Sequence, residues 1–168
     1  QLEVTKNGCW DIDNVTVTVG TEITGAGSIN GAESQCTSYD PGNIENSLSA
    51  QGGTGGTPTY FWQYSTSSSS GPWTPIGSSN NSAYNPPSII TQTTWYRRGA
   101  YRCNSSSALF TPAVQKTVVG TPNASASASF SSICSGSSVA LSTTNVSGQN
   151  YQWSANGTIL NNSSSFSD

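Results

Sequence analysis

Runs of alternating apolar and polar residues, separated by turn signals, mark out this chain. The densest is Tyr60-Phe61-Trp62-Gln63-Tyr64, an aromatic stretch whose alternate residues would point to opposite faces of a strand. Near the start, Leu2-Glu3-Val4-Thr5, the Asn7-Gly8 turn, Cys9 and the alternation Val15-Thr16-Val17-Thr18-Val19 ending at Gly20 predict two strands joined by a turn. Ile44 and Leu48 supply a strand between the Asp40-Pro41-Gly42 turn and the glycine-rich stretch 52–56. After the aromatic run, 67–71 reads as a hairpin tip. Pro72-Trp73-Thr74-Pro75-Ile76 reads as an edge strand, where proline is tolerated because one N–H faces outward. Residues 93–102 and Val114-Gln115-Lys116-Thr117-Val118-Val119 are further strands, followed by Val139-Ala140-Leu141-Ser142 and Tyr151-Gln152-Trp153. No segment sustains a helical period, so the expected class is all-β.

The strand pattern repeats. Cys9, a short loop, a valine-rich run and Gly20 match Cys103, a loop, Val114 to Val119 and Gly120, so residues 1–20 correspond to about 93–120 and Cys9 to Cys103. Cys134 followed by Tyr151-Gln152-Trp153 repeats the order of Cys36 and Trp62. The expected organisation is therefore residues 1–20 as closing strands of a preceding domain, 21–120 as a complete domain, and 121–168 as the opening half of a further one. Phe166-Ser167-Asp168 followed by Gln1-Leu2-Glu3-Val4 of a next copy would make one small domain of about seventy residues, within the size range of sandwich repeats. In that arrangement Cys134 of one copy pairs with Cys9 of the next, through either covalent continuity or strand complementation between subunits, and the chain is one period of an array or filament.

Two resemblances sharpen this. The order Cys36, Trp62, Cys103 is that of immunoglobulin-like sandwiches. Thr59-Tyr60-Phe61-Trp62-Gln63-Tyr64-Ser65, Trp73-Thr74-Pro75-Ile76 and Thr91-Gln92-Thr93-Thr94-Trp95-Tyr96-Arg97-Arg98 are similar to the Ig-like repeats of secreted Bacteroidetes (Bacteroidota) surface proteins, including gliding-motility adhesins, over about residues 21–120. The resemblance implies tandem Ig-like β-sandwich domains. It also implies a Cys36–Cys103 disulfide with Trp62 packed on it, Trp153 as the core counterpart of Trp62, and Tyr96 in the tyrosine-corner role. It implies adhesion or filament formation at the cell surface in type IX-secreted proteins, although such repeats also decorate secreted enzymes.

Composition narrows the chemistry. The chain has 168 residues, 8% charged and 10% aromatic, with a net charge of −3, no histidine and five Lys plus Arg. That is too aromatic for a disordered tail and carries no basic footprint for nucleic acid and no polybasic patch for membrane. No apolar run is long enough for membrane insertion. The four cysteines lack the paired spacing of a zinc site and read as disulfides, which places the protein outside the cell; spacing alone leaves three connectivities open. Without histidine there is no triad or histidine metal site. The acidic residues Glu3, Asp11, Asp13, Glu22, Glu33, Asp40, Glu45 and Asp168 are too scattered for a carboxylate pair, so no catalysis, metal or cofactor is expected. Asp11-Ile12-Asp13-Asn14 lacks the glycine and later glutamate of a calcium loop and reads as a solvated turn.

Arg97 and Arg98 alternate faces. They read as covering the sheet and discouraging edge pairing, with at least one in water or over an aromatic such as Trp95. Trp73, Trp95 and Tyr84, with Trp10 and Tyr101, raise a rival: exposed in one row they would make a carbohydrate-binding module accessory to a secreted enzyme. The primary expectation is a non-enzymatic extracellular adhesive array, forming a stalk or filament. Its partners would be neighbouring copies of itself, with surface polysaccharide as a second candidate.

Overall fold

The computed structural model describes every residue except Ser78, Ser164 and Asp168, and the backbone alone for Ser165–Ser167. The fold is all-β, built of several small sheets, and its chain divides into two compact units, Gln1–Val119 and Gly120–Asp168. The acidic residue Asp168 lies outside the described residues.

The first unit opens with a hairpin of β1 (Leu2–Lys6) and β2 (Cys9–Asp13), closed by Asn7 and Gly8 at φ 51° and 82°. Positive φ at both central residues is the geometry that Asn-Gly adopts most readily and that matches strand twist. The valine alternation that follows is not a strand, contrary to its pattern. Val15, Val17 and Val19 are 76%, 80% and 83% exposed, and no strand pairs with them among the described residues. Alternation gives a segment an apolar face, but a strand also needs a neighbour for its N–H and C=O groups and a layer to bury that face.

The remaining strands are β3 (Ser28–Asn30), β4 (Glu33–Cys36), β5 (Glu45–Leu48), β6 (Thr59–Ser65), β7 (Thr74–Ile76), β8 (Thr94–Tyr101), β9 (Leu109–Phe110) and β10 (Val114–Val119). Six form one sheet in the order β4-β10-β8-β6-β7, with β9 also paired to β8. β4 runs parallel to β10 and the other pairs are antiparallel. β3 and β5 form a separate antiparallel pair, prolonged by bridges Thr21–Thr54 and Gly25–Gln51.

Register sorts the aromatic strand into two faces. Trp62 lies opposite Arg98 and Tyr64 opposite Tyr96, whereas Phe61 lies opposite Gly99 and Gln63 opposite Arg97. The first set faces inward, where Ile44, Trp62, Tyr96 and Val114 form the core with Ile29, Ile76 and Tyr84 packed on it. A smaller cluster of Ile23, Ala50 and Ala100, with Tyr60 against it, continues the core along the same face. Trp62 is fully buried, stacks on Tyr84 at 5.3 Å between centroids, and donates Nε1–H to the Asn81 carbonyl at 2.9 Å. Its neighbour is thus a tyrosine ring and not a disulfide.

The Cys36–Cys103 bridge is corrected by the register. All four cysteines are free and exposed. Cys36 pairs with Val119 beyond the Thr94 end of β8, while Cys103 follows the opposite end, past the Tyr101–Thr59 pair. At ~3.3 Å per residue the two are on the order of 30 Å apart, against a Cα separation under about 7 Å for a disulfide.

The second unit has β11 (Ala126–Ala128), β12 (Ala140–Thr143) and β15 (Ser165–Ser167) in one sheet, and β13 (Trp153–Ala155) with β14 (Thr158–Asn161) in another. No described residue of it is buried. Trp153, expected as a core residue, is half-buried, donates to the Ser163 carbonyl at 2.8 Å, and has no buried cluster around it. Tyr151 clasps the preceding loop instead, accepting from Val146 N–H at 2.6 Å and donating to the Thr144 carbonyl at 3.0 Å.

Candidate functional site

Cations shape both faces of the large sheet: Arg97 lies over aromatic rings, as expected of at least one of the pair, whereas Arg98 is buried in the core. Arg98 is fully buried on the inner face. Its guanidinium donates Nη1 to Asn46 Oδ1 at 2.6 Å and the Ser82 carbonyl at 2.8 Å, and Nη2 to the carbonyls of Ala26 at 3.1 Å and Leu48 at 3.0 Å. It also lies 4.5 Å over the Tyr60 ring. A planar fork of donors suits scattered carbonyls, and so this arginine ties the β3–β5 pair and the 82 loop to the middle of the sheet. Among the described residues no carboxylate pairs with it, and burial lowers its pKa. An arginine covering an edge is therefore the wrong picture, because β8 is an interior strand and Arg98 points into the core. Lys116 is buried too, ion-paired to Glu33 at 3.0 Å across the β4–β10 ladder and donating to the Gly42 carbonyl at 2.6 Å.

The outer face is an aromatic surface organised around Arg97. Its guanidinium lies between two rings, 4.2 Å from the Trp73 centroid and 3.9 Å from that of Phe110, and its Nε donates to Gln63 Oε1 at 2.8 Å. Next along the face, Phe61 lies flat on Gly99: a Cβ there would be 2.2, 2.5 and 2.7 Å from Cζ, Cε1 and Cε2 of the ring. Near-equal distances to three adjacent ring carbons mean that Gly99 meets the ring's face. Glycine is required because any side chain would displace Phe61. Phe110 stands edge-on to Phe61 at 5.6 Å and 84°, and Tyr101 leans over it at 6.2 Å and 55°. The result is a cleft of about 480 Å³ with Phe61 as floor, Phe110 and Tyr101 as walls, and Gln63, Asn80 and Ser105 on the rim.

The ligand-facing row expected of Trp73, Trp95 and Tyr84 does not form. Tyr84 is on the inner side, stacked on Trp62 and 5.7 Å from Tyr96. Trp73 is capped by Arg97. Trp95, opposite Ser65 and Gln115, shares the outer face and is half-buried. The cleft residues Phe61 and Phe110 escape sequence reading because the interior glycine opposite Phe61 is the signal, and it becomes meaningful only once register is known. Trp10 is exposed on the amino-terminal hairpin. Within that hairpin Asp11 and Asp13 each accept from the next backbone N–H, at 2.9 and 2.8 Å.

Glu22 is a third organised group. Its carboxylate accepts the consecutive backbone N–H groups of Arg102 at 2.9 Å, Cys103 at 3.0 Å and Asn104 at 2.5 Å. Those bonds, led by that from Arg102, hold its pKa below the usual carboxylate value. Tyr96 is pushed the other way, up to about 12, by burial and then by the neighbouring Tyr84.

Residues 25–119 match the family described as Domain of unknown function (DUF8696), more than half of the chain. The chain belongs to this family. Its DUF8696 segment spans β3 to β10 and so takes in the Arg98 network, the Lys116–Glu33 pair and the Phe61 cleft, while β1, β2 and the second unit lie outside it. No curated protein and no solved structure matches the chain.

Proposed function

We propose that the protein is a non-enzymatic, extracellular structural and adhesive module, whose Ig-like sandwich domains are completed across successive copies of an array, stalk or filament. The observation that carries this reading is a complementary deficit. Val15, Val17 and Val19 form an alternating apolar row with no strand beside it, and the second unit has strands but no buried side chain among its described residues. A donated strand would supply backbone partners to the first and a core to the second, as in strand complementation. The parallel β4–β10 pair, the interior β8 and β6, and the β3–β5 pair against their inner face support a sandwich of the Ig kind for the first unit. The resemblance to secreted surface repeats supports the extracellular setting.

Cys9 and Cys134 give the test. In a Cys36→Ser/Cys103→Ser background, further substitution of Cys9→Ser or Cys134→Ser leaves each chain with one thiol. Mixed under air, the two variants should give a disulfide-linked pair on a non-reducing gel, and the parent with both cysteines a ladder. An intramolecular Cys9–Cys134 bridge, or no linkage in the mixture beyond that of either variant alone, overturns the proposal.

A further inference from the structure

We infer that the outer-face cleft over Phe61 is a binding site for a neutral hexose ring of a polysaccharide. This goes beyond the array reading, since the cleft lies wholly within one copy and needs no neighbour.

The floor supplies the first half of the recognition. Phe61 presents one ring face to Gly99 and the other outward, and is only half-buried. A pyranose has an apolar face of axial C–H groups and a polar rim of equatorial hydroxyls, so it stacks on an aromatic face that leaves its rim accessible. The edge-on Phe110 and the leaning Tyr101 bound that floor on two sides, giving a trough and not an isolated exposed ring. A trough of about 480 Å³ is within the usual range for small-ligand sites and accommodates one or two sugar rings.

The rim supplies the second half. Gln63, Asn80, Ser105 and the Tyr101 hydroxyl bring amide and hydroxyl groups around the floor, each able to donate and accept, which is what vicinal sugar hydroxyls require. Among the described residues no charged side chain lines the cleft. Arg97, on the same face, is already held between two rings and bonded to Gln63 Oε1, which leaves the Gln63 Nε2 donors for other partners. A neutral lining desolvates no fixed charge when a neutral sugar enters, whereas an acidic glycan or a phosphate would find no counter-ion. A purely apolar ligand would leave the rim amides unpaired.

The test uses the full chain as the Cys9→Ser/Cys134→Ser variant, so that disulfide-linked assembly cannot contribute. The probes are hexasaccharides of β-1,4-glucan, β-1,3-glucan, β-1,4-mannan and chitin, read by saturation-transfer NMR and titration. At least one should show transfer strongest at its ring C–H protons, with affinity weakened about tenfold or more by Phe61→Ala, as loss of a stacking platform implies. Because Phe61→Ala also uncovers Gly99, the exposed rim variant Asn80→Ala serves as a second probe, expected to weaken binding with an unchanged melting temperature. Trp153→Ala should leave affinity unaltered. Absence of transfer from all four probes, or transfer insensitive to both cleft variants, overturns the inference. So does self-association of the chain that Phe61→Ala abolishes, since the face is then a protein contact. Failure of the thiol-pairing test leaves this one unaffected, and the reverse also holds.

Discussion

Arg98 stabilises this fold through the number of hydrogen bonds its fork makes and not through a charge pair, which gives its substitutions a definite order. Arg98→Met removes the cost of burying a cation but leaves the carbonyls of Ala26, Leu48 and Ser82 and the Asn46 amide oxygen without their donor. Each acceptor so stranded away from water costs up to ~1–3 kcal/mol, and since all four are only partly buried the variant should lose on the order of 3 kcal/mol in a denaturant titration. Arg98→Lys keeps the charge but cannot span acceptors on both sides, and should fall between the two. A loss under about 1 kcal/mol for Arg98→Met would show the network to be dispensable. Glu22 and Tyr96 carry pH dependences of opposite sense. The Glu22 pKa is lowered by its three N–H partners, so the stability it contributes is present above the unfolded carboxyl pKa and is lost as pH falls through the folded one. Glu22→Gln should therefore melt lower than the parent at pH 7 and approach it in acid. The Tyr96 pKa is raised to about 12, so the folded state holds a proton that the unfolded chain has released. Its contribution is full below the ordinary tyrosine pKa and is lost as pH rises toward 12. Tyr96→Phe should flatten that alkaline decline, measured by chemical denaturation at pH 9 and pH 11.5.

At the scale of elements, Trp62 and Trp153 occupy equivalent-looking strands in unequal surroundings. Trp62 sits in an interior strand with Tyr84 stacked on it, so Trp62→Ala should cost ~3–5 kcal/mol, as large-to-small core changes do. Trp153 lies in a two-stranded pair with no buried cluster, and Trp153→Ala should cost under about 1 kcal/mol in the isolated chain. Equal losses would mean that the second unit is already a complete core. The contrast also shows what could be read from the sequence. Alternation in Thr59–Ser65 fixed a strand because aromatic residues at every position must divide between two faces, and the Asn7-Gly8 hairpin followed from turn chemistry alone. The same alternation at 15–19 makes no strand, because no partner strand lies beside it among the described residues, and Trp153 of the Tyr-x-Trp pattern is half-buried without a second layer over it. Cys36 and Cys103 flank Trp62 in sequence order, but order does not encode register, and register puts them at opposite ends of the sheet. The Phe61 cleft was invisible for the same reason, since it depends on Gly99 lying opposite Phe61.

For the whole molecule, the two units should differ in how tightly their amides are held, and that difference is where the array reading is most exposed. The first unit has its buried clusters and an interior pair of strands, whereas the second has short sheets with exposed side chains. Local opening free energy follows buried apolar contact, so amides in 120–163 should exchange rapidly in the monomer while those of β6 and β8 exchange only on global unfolding. Adding a synthetic peptide of residues 1–20 in trans offers the second unit the alternating valines without any covalent link. If those valines belong against its strands, exchange in β12 should slow as peptide is added, and the peptide carrying Val15→Asn, Val17→Asn and Val19→Asn should have no effect. The parent peptide should also raise the cost of Trp153→Ala, because a ring that is half-exposed in the monomer would acquire a core around it. Slowing by both peptides alike would point to nonspecific contact, and slowing by neither would leave the exposed valine row without the role assigned to it.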